Sequence, residues 1–205
     1  MTRILLLCLA LAACNEAAEP ARLDHAQILA VRATPPHAPA DGKVKIDLLV
    51  GDYAGMVFET QPDTVIAGTL TVEHSTEGWF VTGGGVPAVT VAVSSTIDGE
   101  TWRAEKTVVF DDKPLDNPSV TAVDMDGTQT AAVDTSIGAR PALTANCAGG
   151  DTLTYAWYSS VGDLEHYHKQ TATLKADAAA DGTVAIVVRD DQGGVGWQVL
   201  PGHVQ

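Results

Sequence analysis

The stretch Glu165-His166-Tyr167-His168 concentrates more metal-ligating chemistry than any other part of this chain. If it is extended, side chains alternate from one side to the other, so His166 and His168 share a face and could hold Zn²⁺ or Cu²⁺ together. Two ligands rarely suffice. Asp163, Glu165 from a bent loop, His74 or His203 would have to complete the set, and the competing account is a polar loop or strand edge. Asp124-Met125-Asp126-Gly127 and Asp190-Asp191 put hard oxygen ligands suited to Ca²⁺ at strand ends. The first lacks the further ligands and closing glutamate of a helix-loop-helix calcium site, and Asp-Gly makes a turn unaided. Gly83-Gly84-Gly85 lacks the lysine and Ser/Thr of a phosphate loop and reads as a hairpin connection. No Gly-X-Ser-X-Gly, His-Glu-X-X-His or Ser-X-X-Lys motif occurs. Ser159 and Ser160 stand near His166 in sequence, but a catalytic triad is defined by geometry rather than spacing. These spacings imply no cofactor, and the expectation is a protein that is not an enzyme.

Cys14 is the other chemically informative residue. Residues 1–13 have the layout of a secretory signal, with Arg3 as the positive region, Ile4 to Leu11 as the apolar run and Ala12-Ala13 as the small residues before cleavage. That run is too short to span a bilayer. Leu11-Ala12-Ala13-Cys14 resembles the lipobox of bacterial lipoproteins. The resemblance implies cleavage before Cys14, acylation of its thiol and acylation of the new amino terminus. Several acyl chains hold a protein at a membrane far better than one. Residues 14–24 then read as a lipidated cysteine and a polar tether. Asn15, where an aspartate would mark retention at the inner membrane, points to the outer membrane in preference to the inner, facing the periplasm or the cell surface.

The chain has 12 basic and 26 acidic side chains, a net charge of −14. Loss of residues 1–13 removes Arg3 and no acid, giving −15. Such a surface repels nucleic acid and anionic headgroups, so no nucleic-acid partner is expected. With Cys8 in the signal and Cys14 acylated, only Cys147 remains, and no internal disulfide can form even in an oxidising compartment. Stability must come from packed sheets.

Period-2 alternation recurs along the chain while helical periodicity is nearly absent. Strands are predicted over 27–33, 43–50, 69–74, 87–95 and 101–110, then over 119–124, 142–147, 153–159, 171–175, 182–190 and 195–204. Turn signals such as Asp98-Gly99, Asp126-Gly127 and Gln192-Gly193-Gly194 separate them. This spacing indicates antiparallel sandwiches. The charged, proline-punctuated segment 112–117 reads as a linker, dividing the chain into a domain over 25–111 and another over 118–205. Each half opens on a similar strand, Ile28 to Ala33 and Pro118 to Val123, as a divergent repeat would.

Leu143, Ala145 and Cys147 share a strand face, Trp157 follows on the next strand, and 183–190 looks like a central strand. This pattern resembles an immunoglobulin-like or polycystic-kidney-disease-type sandwich, with Cys147 and Trp157 near the usual core cysteine and tryptophan. The departure is that Ala185 and Val187 stand where a second cysteine would be needed, so Cys147 reads as a small core hydrophobe. Residues 153–162, 187–197 and 28–36 resemble segments of tandem immunoglobulin-like lipoproteins of proteobacteria. That resemblance implies a fold and a location but no activity. Tyr155 and Trp157 share one face of their strand, Ala156 and Tyr158 the other; one pair is expected in the core and the other partly exposed. The overall expectation is an all-β chain of two antiparallel immunoglobulin-like sandwiches behind a lipoprotein signal, a non-catalytic binding, adhesion or assembly module. It would be held to the membrane through Cys14, with an envelope protein or glycan as partner. The alternative is a Zn- or Cu-binding lipoprotein using Glu165, His166 and His168.

Overall fold

The computed structural model describes residues 21–111, 113–150 and 152–205. The signal, Cys14 and most of the expected tether lie outside the described residues. The first half holds nine strands: β1 (Gln27–Thr34), β2 (His37–Ala38), β3 (Lys43–Gly51), β4 (Val57–Thr60), β5 (Thr64–Ile66), β6 (Thr71–Ser75), β7 (Gly78–Thr82), β8 (Ala88–Ile97) and β9 (Glu100–Phe110). Among the described residues the second half also holds nine: β10 (Ser119–Met125), β11 (Thr128–Thr130), β12 (Val133–Thr135), β13 (Ala142–Ala148), β14 (Thr154–Ser159), β15 (Asp163–Glu165), β16 (Thr171–Lys175), β17 (Ala180–Arg189) and β18 (Val195–Val204).

Each half folds into two sheets. In the first, β1-β3-β7-β6, with β4 also on β3, faces β2-β9-β8-β5; in the second, β11-β10-β13-β16-β15 faces β12-β18-β17-β14. The order is the same in both, each opening strand pairing in one sheet before a short following strand crosses to the other. That is an immunoglobulin-like arrangement built twice. The sheets are not purely antiparallel, because β2 runs parallel to β9 and β12 parallel to β18. The two opening strands even share a defect: register slips between Ile28 and Ala30 in β1 and between Val120 and Ala122 in β10. Structure therefore matches Ile28 to Val120, two residues away from the alignment suggested by the apolar pattern.

Period-2 alternation explains the cores. On β3, Val44, Ile46, Leu48 and Val50 are fully buried and join Val81, Val91, Val108 and Phe110 inside the first sandwich. In the second, Leu143, Ala145, Ile186, Val188 and Leu200 surround Trp157, which is 0% exposed and donates its indole N–H to the Lys169 carbonyl at 2.9 Å. Cys147 is half-buried at the rim of this core. Ala185 and Val187, the positions offered for a second cysteine, point away from it: Trp157 pairs with Ile186, and the core-facing residues of β17 are Val184, Ile186 and Val188.

A third apolar layer lies between the sandwiches, so the two are docked face to face. Leu23, Leu29, Ala30, Leu49 and Val57 of the first half meet Ala185, Val187 and Val195 of the second, with Tyr158, Trp197 and Val199 packed alongside. Each Leu or Val buried there contributes roughly 1.5–3 kcal/mol relative to exposure. On β14, Trp157 lies in the core while Ala156 and Tyr158, on the other face, stay only partly buried, Tyr158 against the seam, as expected of that pair. The segment read as linker is fastened rather than free: Leu115 bridges to His37, and Asn117 ties both halves together. Ala21 and Leu23, read as the end of the tether, are buried, and they bond through Leu23 N–H to the Ser159 carbonyl and Ser159 N–H to the Ala21 carbonyl, both at 2.9 Å. The open edge of β14 supplies the backbone groups that capture them. Gly83 does not close a hairpin; it sits where the chain crosses from β7 in one sheet to β8 in the other, with the Ala40 carbonyl too close to admit a side chain.

Candidate functional site

The histidine stretch is folded as a turn. Glu165 ends β15, His166 adopts φ +58°, and the Lys169 N–H donates to the His166 carbonyl at 2.9 Å. The extended backbone needed to place His166 and His168 on one side is absent here, because the chain reverses at His166. Glu165 is engaged by the Arg140 guanidinium, and His168 meets Tyr167 edge to face at 5.5 Å. The distant histidines are committed elsewhere: His74 stacks on Trp79 at 4.5 Å, and His203 lies 2.8 Å from Asp181, whose carboxylate raises the imidazole pKa. Among the described residues, no group of three or more His, Cys, Asp or Glu side chains is gathered closely enough to hold a metal ion. Asp126 makes the turn expected of Asp-Gly, with φ +51°, and its carboxylate accepts the Ala142 N–H at 2.9 Å. Burial pushes the Cys147 thiol pKa up, away from the thiolate that nucleophilic chemistry needs.

The seam between the sandwiches carries the densest polar network. Asp47, only 4% exposed, pairs with Lys45 at 2.8 Å and Arg32 at 3.4 Å. Arg32 also pairs with Glu59 at 2.6 Å and lies 4.0 Å over the Trp197 ring, whose N–H donates to Glu59 at 3.1 Å. These groups border a cleft of about 440 Å³ with Asn117 and Ser119 on its other wall. Nearly every charge there already has a partner within the network, so the cluster fastens β1, β3 and β18 to one another. A second cleft of about 430 Å³ lies on the other side of the β17–β18 turn. There Lys106 donates to the Gly193 carbonyl and Arg189 to the Leu29 carbonyl at 3.0 Å; burial, then repulsion from Arg189, lowers the Lys106 pKa.

The surface that stands out is the turn from β3 to β4. Tyr53, Met56 and Phe58 are 49%, 46% and 43% exposed, three of the five large apolar side chains so placed among the described residues. The turn is held from every side. Asp52 N–H donates to the Met56 carbonyl at 3.0 Å, and Met56 N–H to the Asp52 carboxylate at 2.8 Å. Tyr53 N–H donates to Asp98 at 2.8 Å and its hydroxyl to Glu100 at 2.9 Å, a bond that raises the phenol pKa. Gly55 sits at φ +76° with Ser160 so close that a Cβ would lie 2.4 Å from its Cβ, and the buried Thr183 hydroxyl donates to the Gly55 carbonyl at 2.7 Å. Both sandwiches therefore fix a loop whose apolar side chains face water. Sequence reading passed over this turn; the available signal was Tyr53, Met56 and Phe58 flanking a glycine between strands, apolar residues where turns are ordinarily polar.

No protein-family model matches the chain, and no curated protein matches it. Among solved structures it is similar to the N-terminal Ig1-2 module of the Drosophila receptor protein tyrosine phosphatase DLAR, at 11% identity over 88% of this chain and 99% of that one, TM-score 0.37. It is similar also to fibronectin(III)-like modules of Clostridium thermocellum CbhA, at 13% identity over 88% and 94%, TM-score 0.35. A nucleoside hydrolase-related hypothetical protein from Saccharophagus degradans shares 17% identity over 45% of this chain, which spans only 26% of that protein, TM-score 0.36. Likeness of this size carries no functional argument; the immunoglobulin-like architecture stands on the sheet order.

Proposed function

We propose that this protein is a lipid-anchored component of the bacterial envelope, tethered through Cys14 at the outer membrane in preference to the inner, that works as a non-catalytic binding, adhesion or assembly module. The observation that carries the binding role is the β3–β4 turn, where Tyr53, Met56 and Phe58 are exposed on a loop that both sandwiches hold still. Exposed aromatic side chains on a held loop lose little entropy on docking, and aromatic residues and methionine are enriched at protein contacts. The anchoring half of the reading comes from the Leu11-Ala12-Ala13-Cys14 pattern. A photo-crosslinking residue at position 58 of the tagged full-length protein in its native host, compared with Cys14→Ala, tests both halves. A reproducible envelope partner, reduced when Cys14 is replaced, is the expected result. No cross-linked species at position 58 would remove the binding role, and unchanged fractionation of Cys14→Ala with membranes would remove the anchor.

A further inference from the structure

The same turn also bears charges that specify the chemistry of what it binds, an inference that rests on the binding role just proposed. Asp52, Asp98 and Glu100 stand around Tyr53, the last two bonded to its backbone N–H and its hydroxyl. Among the described residues no Lys, Arg or His pairs with any of the three. Some carboxylates elsewhere on this surface recruit cations, as Asp163 does with Arg22, Glu73 with Lys43 and Glu165 with Arg140, and others such as Asp41 and Glu77 do not among the described residues; what sets this trio apart is the exposed apolar group it stands beside. An apolar patch ringed by carboxylates without internal counter-ions is complementary to apolar side chains interspersed with positive ones.

The neighbouring backbone supplies the shape. Val57 and Glu59 turn toward the second sandwich, Val57 into the seam and Glu59 to Trp197, so Phe58 points to the opposite face of β4. Among the described residues β4 pairs with β3 alone, leaving its outer edge open. An open edge beside an exposed aromatic receives an extended strand, with main-chain bonds for affinity and alternate side chains for selectivity. We propose that the β3–β4 turn, with Asp98 and Glu100, docks an extended protein segment in which apolar residues alternate with lysine or arginine. A second copy of this chain is a poor occupant, since like carboxylates would meet, and an anionic lipid surface is opposed for the same reason.

The test uses the full chain carrying Cys14→Ala and fluorescence anisotropy with a labelled peptide of alternating leucine and lysine. A leucine–glutamate peptide and phosphatidylcholine vesicles serve as further probes. Two double variants, Tyr53→Ser with Phe58→Ser and Asp98→Asn with Glu100→Gln, are compared with Asp41→Asn plus Glu77→Gln, which removes equal charge from exposed positions elsewhere. Thermal melting shows that each variant remains folded. The expected result is binding of the lysine peptide alone, weakened roughly tenfold or more by each turn variant, weakened by added salt and nearly unchanged in the control. Equal binding by turn variants and control overturns the proposal, as does equal binding of the glutamate peptide. Vesicle binding that disappears in the turn variants would reassign the patch to lipid. A cross-linked cellular partner at position 58 without peptide binding leaves the binding role standing and removes the cationic chemistry.

Discussion

Asn117 shows how one side chain can fix an interdomain geometry. Its amide N–H groups donate to the Ala33 carbonyl at 2.8 Å and the Thr34 hydroxyl at 3.3 Å, while its carbonyl accepts the Val195 N–H at 2.8 Å. Replacing it by alanine strands partly buried backbone groups on both halves. Asn117→Ala is expected to lower unfolding stability by about 2 kcal/mol, read from the urea midpoint at an unchanged slope. His166 and His168 show the opposite case, two ligating types brought near in sequence and then parted by a reversal of the backbone. Copper and zinc titrations of the wild type and of a His166→Ala, His168→Ala double variant are expected to superimpose. Tight binding lost in the double variant would restore the metal-site reading. The histidines themselves were plain in the sequence, but the φ of His166 was not, because a positive φ at a non-glycine depends on the surrounding turn.

Among the elements, the β17–β18 turn and the segment 111–117 act as fasteners on the first sandwich. His37 places Nδ1 3.1 Å from Asp111 and Nε2 2.9 Å from the Gln192 carbonyl, joining that turn to the end of β9. The Asp111 pKa is lowered from 3.8, chiefly by the Lys113 N–H donated to its carboxylate and further by His37. A carboxyl whose pKa is depressed on folding adds stability that is complete above the unfolded value and is lost as pH falls through the folded one. Stability is therefore expected to drop below pH about 4, and Asp111→Asn to flatten that drop, measured as urea midpoints at about pH 3 and pH 7. An equal acid-dependent loss in the variant would show that Asp111 is not the group responsible. The long strands were legible from alternation. Missed were β2, β4, β5, β7, β11, β12 and β15, six of them two to four residues long and too short to display a period.

At the scale of the whole molecule, four sheets are stacked with apolar layers between each neighbouring pair. The two sandwiches should behave as one body. A single calorimetric transition is expected, with a radius of gyration of about 16 Å for the described residues. Val187 is 0% exposed and faces the seam, so Val187→Lys buries an unpaired charge there without entering either core. Two separate transitions and a larger radius in solution scattering are expected for that variant. A single transition at the wild-type radius would mean that the seam does not hold the halves together. The strand that carries Val187 had announced this contact in part: Val184 to Val188 is apolar on both faces, and such a strand must be covered on both.

Alternation and turn residues by themselves determined an all-β chain of two similar halves, because side-chain period and glycine-bearing turns are local properties. Which face of each strand met which neighbour was decided only by tertiary structure. The docking of Ala21 and Leu23 on β14, the closing of the charged cluster around Asp47 and the exposure of Tyr53, Met56 and Phe58 all depend on residues far apart in sequence. Their energies come from burial and charge pairing across the seam, which exist only once the two sandwiches have met.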